Sequence, residues 1–204
     1  QVRNLATVGV NVCNASPAGD TLPALLAFDA QCKISGPDGD RSIPLNEFFT
    51  GPGRTVLKTG EILTELRLAP PLPNTGSLYI KHSPRGAMDI ATLGVASVIT
   101  LEDSSLVCRN VRIGLGAVAP TPIRASSAER LLWGREVTPE LIESAAQAAK
   151  GNVKAIDDVR GSAEHRQEMV GVLTQRTLER SWDMAKGNPM SFERQRELAV
   201  QAAF

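Results

Sequence analysis

The sequence predicts an α+β fold in two parts, and three observations lead there. A proline-rich break, "PPLPNTG" (70–76), can continue neither a helix nor a sheet. Three β-rich runs follow it: "SLYIKHS", "ATLGVASVITLED" and "LVCRNVRIGLGAVA". From Arg124 onward the apolar residues recur with a helical period. Strands followed by helices is the order of an α+β domain.

The elements read in order as follows. "QVRNLATVGV" (1–10) is a strand-like apolar segment that reads as the middle of something, so a further N-terminal part is expected before it. "TVGVNVCNASPAGD" (7–20) reads as a glycine turn and a run of small polar residues closing on one aspartate. Asp20 or Thr21 caps a helix to about Ala30, with Pro23 tolerated in its first turn. "QCKISGPDGDRSIPL" gives two short strands around a turn, "LNEFF" a helical turn and "TGPGRT" a loop. In "EILTELRLA", Ile62, Thr64, Leu66 and Leu68 alternate onto one face of a half-buried strand.

Beyond the break, "EDSS" joins the second and third β-rich runs as a hairpin. "RASSAERLLWG" is a helix ending at Gly134. "TPELIESAAQAAKGN" is a second, with Thr138 at its cap and Pro139 at its first position. A third runs through "SAEHRQEMVGVLTQRTLERSWDMAKGNP" with Met169, Val170, Leu173, Thr177 and Leu178 on one face. The last residues, "MSFERQRELAVQAAF", have weaker helical support. No internal repeat is visible.

Composition excludes several functions. Of 204 residues, 22 are Lys or Arg and 22 are Asp or Glu, so the net charge is zero. That argues against a general electrostatic binder of nucleic acid or membrane. No apolar run approaches the roughly 20 residues needed to span a bilayer, and no signal-peptide core follows Arg3. Cys13, Cys32 and Cys108 are widely spaced, with no C-x-x-C pair. A metal site within the chain is not expected, and reduced thiols in a cytoplasmic protein are the simplest reading.

Small residues let a backbone approach an anion closely, and a helix start adds oriented N–H groups. "TVGVN" therefore reads either as an anion-binding loop or as a plain turn. Asp20 is a helix cap, a ligand contact or both. Leu63 alone reads as core, and Lys81 alone as a solvated strand residue. His82 and His165 stand isolated, and Cys13 reads as a small buried hydrophobe. Arg85 and Asp89 in "RGAMD" can form a structural ion pair. No side chain stands out as a nucleophile or general base.

Over residues 1–185 the sequence resembles the FAD-binding medium subunit of the molybdenum hydroxylases, the xanthine dehydrogenase and carbon monoxide dehydrogenase type. "RNLATVGVNVCNASPAGDTLPALLAFDA" is similar to the family's second FAD motif, T-I/V-G-G-N with small residues and an aspartate after it. "FFTGPGRTVLKTGEILTELRL" resembles the segment that follows, and "YIKHSPRGAMDIA" with "VRIGLGAVAPTPIRASSAERLLWG" resembles the C-terminal domain. The resemblance implies the second subdomain of a PCMH-type FAD-binding domain over 1–70. It implies a CO dehydrogenase flavoprotein C-terminal-like domain over 77–185, an antiparallel sheet of about three strands with helices, and a tail over 186–204.

It implies FAD as cofactor. Thr7, Gly9, Asn11 and Ser16 would line its phosphates and sugars, and Asp20 would accept a hydrogen bond from it. Leu63 falls on an apolar flavin contact, and Lys81 on a lysine near the cofactor. No catalytic residue and no metal ligand are implied in this chain. The implied role is an oxidoreductase subunit passing electrons from 2Fe–2S clusters on a small subunit through FAD to NAD or another acceptor. A molybdopterin-binding large subunit completes the implied complex. The alternative is a docking or assembly fragment without FAD. The chain departs from the motif at Val10, where the family has a second glycine. A tight turn at Gly9–Val10 would strain a β-branched residue, so Val10→Gly is expected to raise FAD affinity in a protein that also carries the family's N-terminal subdomain. The family's other Gly-rich FAD motif lies in an N-terminal subdomain that this sequence does not contain.

Overall fold

The computed structural model describes residues 2–85 and 89–187. Two short helices open it, α1 (Val2–Leu5) and α2 (Val8–Cys13), followed by α3 (Leu22–Ala27). Strands β1 (Gln31–Gly36), β2 (Gly39–Pro44) and β5 (Ile62–Arg67) form an antiparallel sheet in the order β2-β1-β5. Between them lie a 3-10 turn (Leu45–Glu47) and a small ribbon of β3 (Phe49–Gly51) with β4 (Arg54–Thr55). The second sheet is antiparallel, in the order β6 (Thr75–His82), β7 (Leu93–Leu101), β8 (Cys108–Gly116), β9 (Ile123–Arg124). Three helices follow: α4 (Ser126–Leu132), α5 (Pro139–Lys150) and α6 (Ala163–Gly187).

The C-terminal half follows the sequence closely. Thr138 caps α5 by accepting from the Leu141 N–H at 3.2 Å, with Pro139 in the first turn. Gly134, at φ +70, lets the chain turn after α4. Val170, Leu173, Thr177 and Leu178 are buried on one face of α6, with Met169 partly buried beside them. Every residue of β7 is buried, which is why its run is apolar or small throughout. The second sheet has four strands rather than three; β9 is only two residues long, too short to leave a pattern. The 190–204 segment lies outside the described residues.

The N-terminal half differs at three places. Residues 2–5 and 8–13 are helical, neither strand nor turn; Thr7 caps α2 and accepts from the Val10 N–H at 3.1 Å. "TGPGRT" is not a loop alone; Gly53 at φ +66 reverses the β3–β4 ribbon. The pairing of β1 with β5 slips between Lys33 and Ile34, where Thr64 donates to the Lys33 carbonyl at 3.1 Å. That bulge breaks the expected alternation. Leu63 and Leu66 both pack on the core, whereas Ile62 and Leu68 are exposed.

The first core gathers Leu22, Leu26, Ile34, Leu45 and Phe48. The second lies between one face of the second sheet and the C-terminal helices. On that face Gly76 sits against the α6 backbone: a Cβ there would come within 2.8 Å of the Ala185 nitrogen. The opposite face is covered by α3. Ala24, Ala27 and Phe28 pack on Tyr79, Ala96 and Val98, while Leu22, Leu25 and Leu26 enter the first core. One short helix thus serves both sheets.

Candidate cofactor site

The seam under α3 is where the sequence-predicted residues converge. Asp20 lies just before Thr21, the N-cap residue of α3. No side chain caps that helix, so Asp20 is not the expected cap. Its Oδ2 instead accepts from Lys81 Nζ at 2.7 Å, across 61 residues of sequence. Lys81 also donates to the Asp89 carbonyl at 2.7 Å. Arg85 pairs with Asp89 at 3.2 Å, as expected, and with neighbouring backbone N–H groups it holds that carboxyl below the usual carboxylate range.

The loop before Asp20 is pinned at several points. Asn11 Oδ1 on α2 accepts from the Thr21 hydroxyl at 2.7 Å. Ser16 Oγ accepts from the Ala18 N–H at 3.3 Å. The Pro17 carbonyl accepts from the Ala117 N–H of the second half at 2.7 Å. A side chain at Gly19 would meet Leu22 at 2.8 Å and Asn11 Oδ1 at 3.2 Å, so any larger residue there would have to displace the Leu22 side chain. At the start of α2 the first amides, Val8 and Gly9, have no intrahelical acceptor. A Cβ at Gly9 would meet nothing within 4 Å, so the backbone there is open to an approaching group.

Leu63 packs on the first core beside Cys32 and Ile34. Val10 is helical and 65% exposed, and it is not among the residues with positive φ, so the expected backbone strain is absent. Cys13 is exposed rather than buried. Burial pushes the Cys32 and Cys108 thiols up to about 12, which leaves neither as a thiolate. His82 and His165 are not isolated from each other; their rings stand 6.0 Å apart. No group of three metal-ligating side chains occurs among the described residues.

Two atoms at the seam lack partners. Asp20 Oδ1 and the Tyr79 hydroxyl are both buried and unpaired among the described residues. Tyr79 did not stand out in the sequence. Its signal was its place two residues before Lys81 on a strand, which puts both on one face.

An open helix start, a pinned small-residue loop and an ion pair with an unpaired carboxylate oxygen thus lie close together along the chain leading into α3. Residues 1–71 match the FAD binding domain in molybdopterin dehydrogenase, and residues 78–181 match the CO dehydrogenase flavoprotein C-terminal domain. The chain belongs to the molybdenum hydroxylase flavoprotein family. Within that family it is 32% identical over 188 residues to the xanthine dehydrogenase FAD-binding subunit of Escherichia coli O157:H7, covering 92% of this chain and 64% of that one. It is 34% identical to the carbon monoxide dehydrogenase medium chain of Afipia carboxidovorans, covering 91% and 64%. The chain therefore spans 64% of the length of these flavoprotein relatives.

Solved structures of the family share its fold. Carbon monoxide dehydrogenase from Hydrogenophaga pseudoflava, in a form lacking the Mo-pyranopterin moiety of the molybdenum cofactor, superposes with a TM-score of 0.84 at 34% identity, covering 89% of this chain and 62% of that one. Quinoline 2-oxidoreductase from Pseudomonas putida 86 gives 0.79 at 25%, covering 90% and 63%. No helix among the described residues is long and apolar enough to cross a membrane.

Proposed function

We propose that this chain is the FAD-binding, electron-transferring part of a molybdenum hydroxylase-type oxidoreductase. The observation that carries the reading is the Asp20–Lys81 pair with its unpaired Asp20 Oδ1. A buried acceptor without a donor is costly and is normally met by a ligand or water. The residues present fit FAD. The Val8 and Gly9 amides and Asn11 suit phosphate and sugar oxygens, with Thr7 fixing the helix start and Ser16 the loop beyond it. Asp20 suits a hydroxyl or N–H of the cofactor, and Lys81 holds Asp20 in place while adding positive charge. Leu63, partly buried on β5 beside α2, suits an apolar contact with the flavin. FAD, when bound, supplies reversible one- and two-electron transfer.

The same reading takes residues 1–70 as the second subdomain of the FAD-binding domain, 77–185 as the C-terminal domain and 186–204 as a tail. A molybdopterin-binding large subunit and a 2Fe–2S small subunit are the partners it calls for, with NAD as one candidate acceptor. A cytoplasmic setting suits three cysteines that form no disulfide. The rival docking-fragment reading drew on strain at Val10 and on the N-terminal subdomain that the sequence does not contain; a helical, exposed Val10 removes the first of these supports. The test is direct: purify the full-length protein and record its visible absorption. Bound flavin is expected; a colourless protein that takes up no added FAD overturns the proposal.

A further inference from the structure

Tyr79 and Lys81 leave β6 on the same face, toward α3. The Tyr79 ring packs among Ala24, Ala27, Phe28, Ala96 and Val98. Across the sheet Gly94 pairs with Lys81, and a Cβ there would meet the Tyr79 hydroxyl at 2.7 Å. Glycine at 94 is thus what gives that hydroxyl its room. Burial first, and then the charge of nearby Asp20, push the phenol well above its ordinary range. It therefore stays a protonated donor at any working pH.

The seam holds a buried donor without an acceptor and a buried acceptor without a donor. The two do not bond each other. A single ligand group that accepts from one and donates to the other would satisfy both. A phosphate oxygen accepts only, and it would be repelled by Asp20. A hydroxyl does both at once. We propose that Tyr79 is a ligand-positioning residue whose hydroxyl donates to a sugar hydroxyl of the cofactor, ribose or ribityl, which in turn donates to Asp20 Oδ1. This rests on the FAD-binding reading above and extends it to a residue of the C-terminal half.

The test compares wild type and Tyr79→Phe in the full-length protein, by thermal unfolding with and without saturating FAD and by flavin fluorescence titration. Without FAD the variant is expected to melt at or above the wild type, because an unpaired buried hydroxyl has been removed. With FAD, the dissociation constant is expected to rise about tenfold, the worth of one neutral hydrogen bond, and the FAD-induced rise in melting temperature to shrink. Asp20→Asn combined with Tyr79→Phe should weaken binding by less than the product of the two single effects, since both act on one ligand group. A variant that melts lower without FAD and binds it with wild-type affinity makes Tyr79 purely structural and overturns the inference alone. Failure of the wild type to bind FAD overturns this inference and the proposed function together.

Discussion

Gly114→Ala tests the feature on which the seam depends, the seating of α3 on β8. A Cβ at Gly114 would sit 2.8 Å from the Pro23 carbonyl carbon and 3.0 Å from its Cα, with the carbonyl oxygen closer still. Ordinary contact begins near 3.4 Å, and the obstacle is backbone, which cannot rotate away. The helix must withdraw by roughly an ångström or the sheet must bend. Overpacking of this kind costs about 1–3 kcal/mol, and a rigid obstacle places it at the upper end. For a chain of this size that is a fall in melting temperature of about 6–12 °C. The same withdrawal pulls Asp20 from Lys81, since Asp20 immediately precedes the α3 cap. Thermal denaturation followed by circular dichroism, with FAD titration of the same samples, reads both effects. Wild-type melting and wild-type flavin affinity in Gly114→Ala would mean that α3 does not rest on β8 as described.

Three further outcomes are expected. Asp158→Asn should lower stability by about 3–5 kcal/mol in urea unfolding, because Arg166, 3% exposed, then keeps a buried charge without its carboxylate partner. Glu61 is held at about 2 by the Arg41 guanidinium fork and the Lys58 N–H, below an ordinary 4.5. Its folded value is depressed, so its contribution is fully present above about 4.5 and is lost as pH falls toward 2; Glu61→Gln should flatten the melting-temperature profile in that window and leave its neutral-pH slope unchanged. Val10→Gly should destabilise α2 by about 0.5–1 kcal/mol without raising FAD affinity, since Val10 is an exposed helical residue; a gain in affinity by fluorescence titration would restore the strained-turn reading.

The legible parts of the sequence were those whose local chemistry and tertiary role agree. Thr138-Pro139 announces α5 because the same residues that cap it also define its start. The prolines at 70, 71 and 73 mark the break between β5 and β6 because they can donate no ladder hydrogen bond. Helix α2 was hidden for the opposite reason. Only Val12 of its six residues is buried, so it shows no apolar stripe, and glycine with two β-branched neighbours looks like a turn or strand. The β5 bulge was invisible because register slips leave no mark in one strand's composition. Thr7, Gly9, Asn11, Ser16 and Asp20 could be singled out as a local cluster, but no local pattern could place Lys81 on Asp20 or show that Tyr79 lacks a partner.

Those long-range pairings all pass through α3, and this bears on how the site is kept in register. The helix is too short to be stable alone. Its position is fixed from three sides: Leu22 and Leu26 in the first core, Ala27 and Phe28 on the second sheet, and Asp29 at its end. Asp29 adopts φ +56 and reaches Arg112 at 3.0 Å and Arg124 at 3.7 Å on the far half. Asp20 at one end and Asp29 at the other therefore both pair with cations of the second sheet. The surface-exposed share of these pairs makes each worth little in stability. Their geometric effect is larger, because two charge pairs at opposite ends oppose both sliding and tilting of a short helix. The carboxylate at the N-terminal end is thereby held against Lys81 by packing that has its own energetic basis, so the proposed site would be preorganised before any ligand arrives.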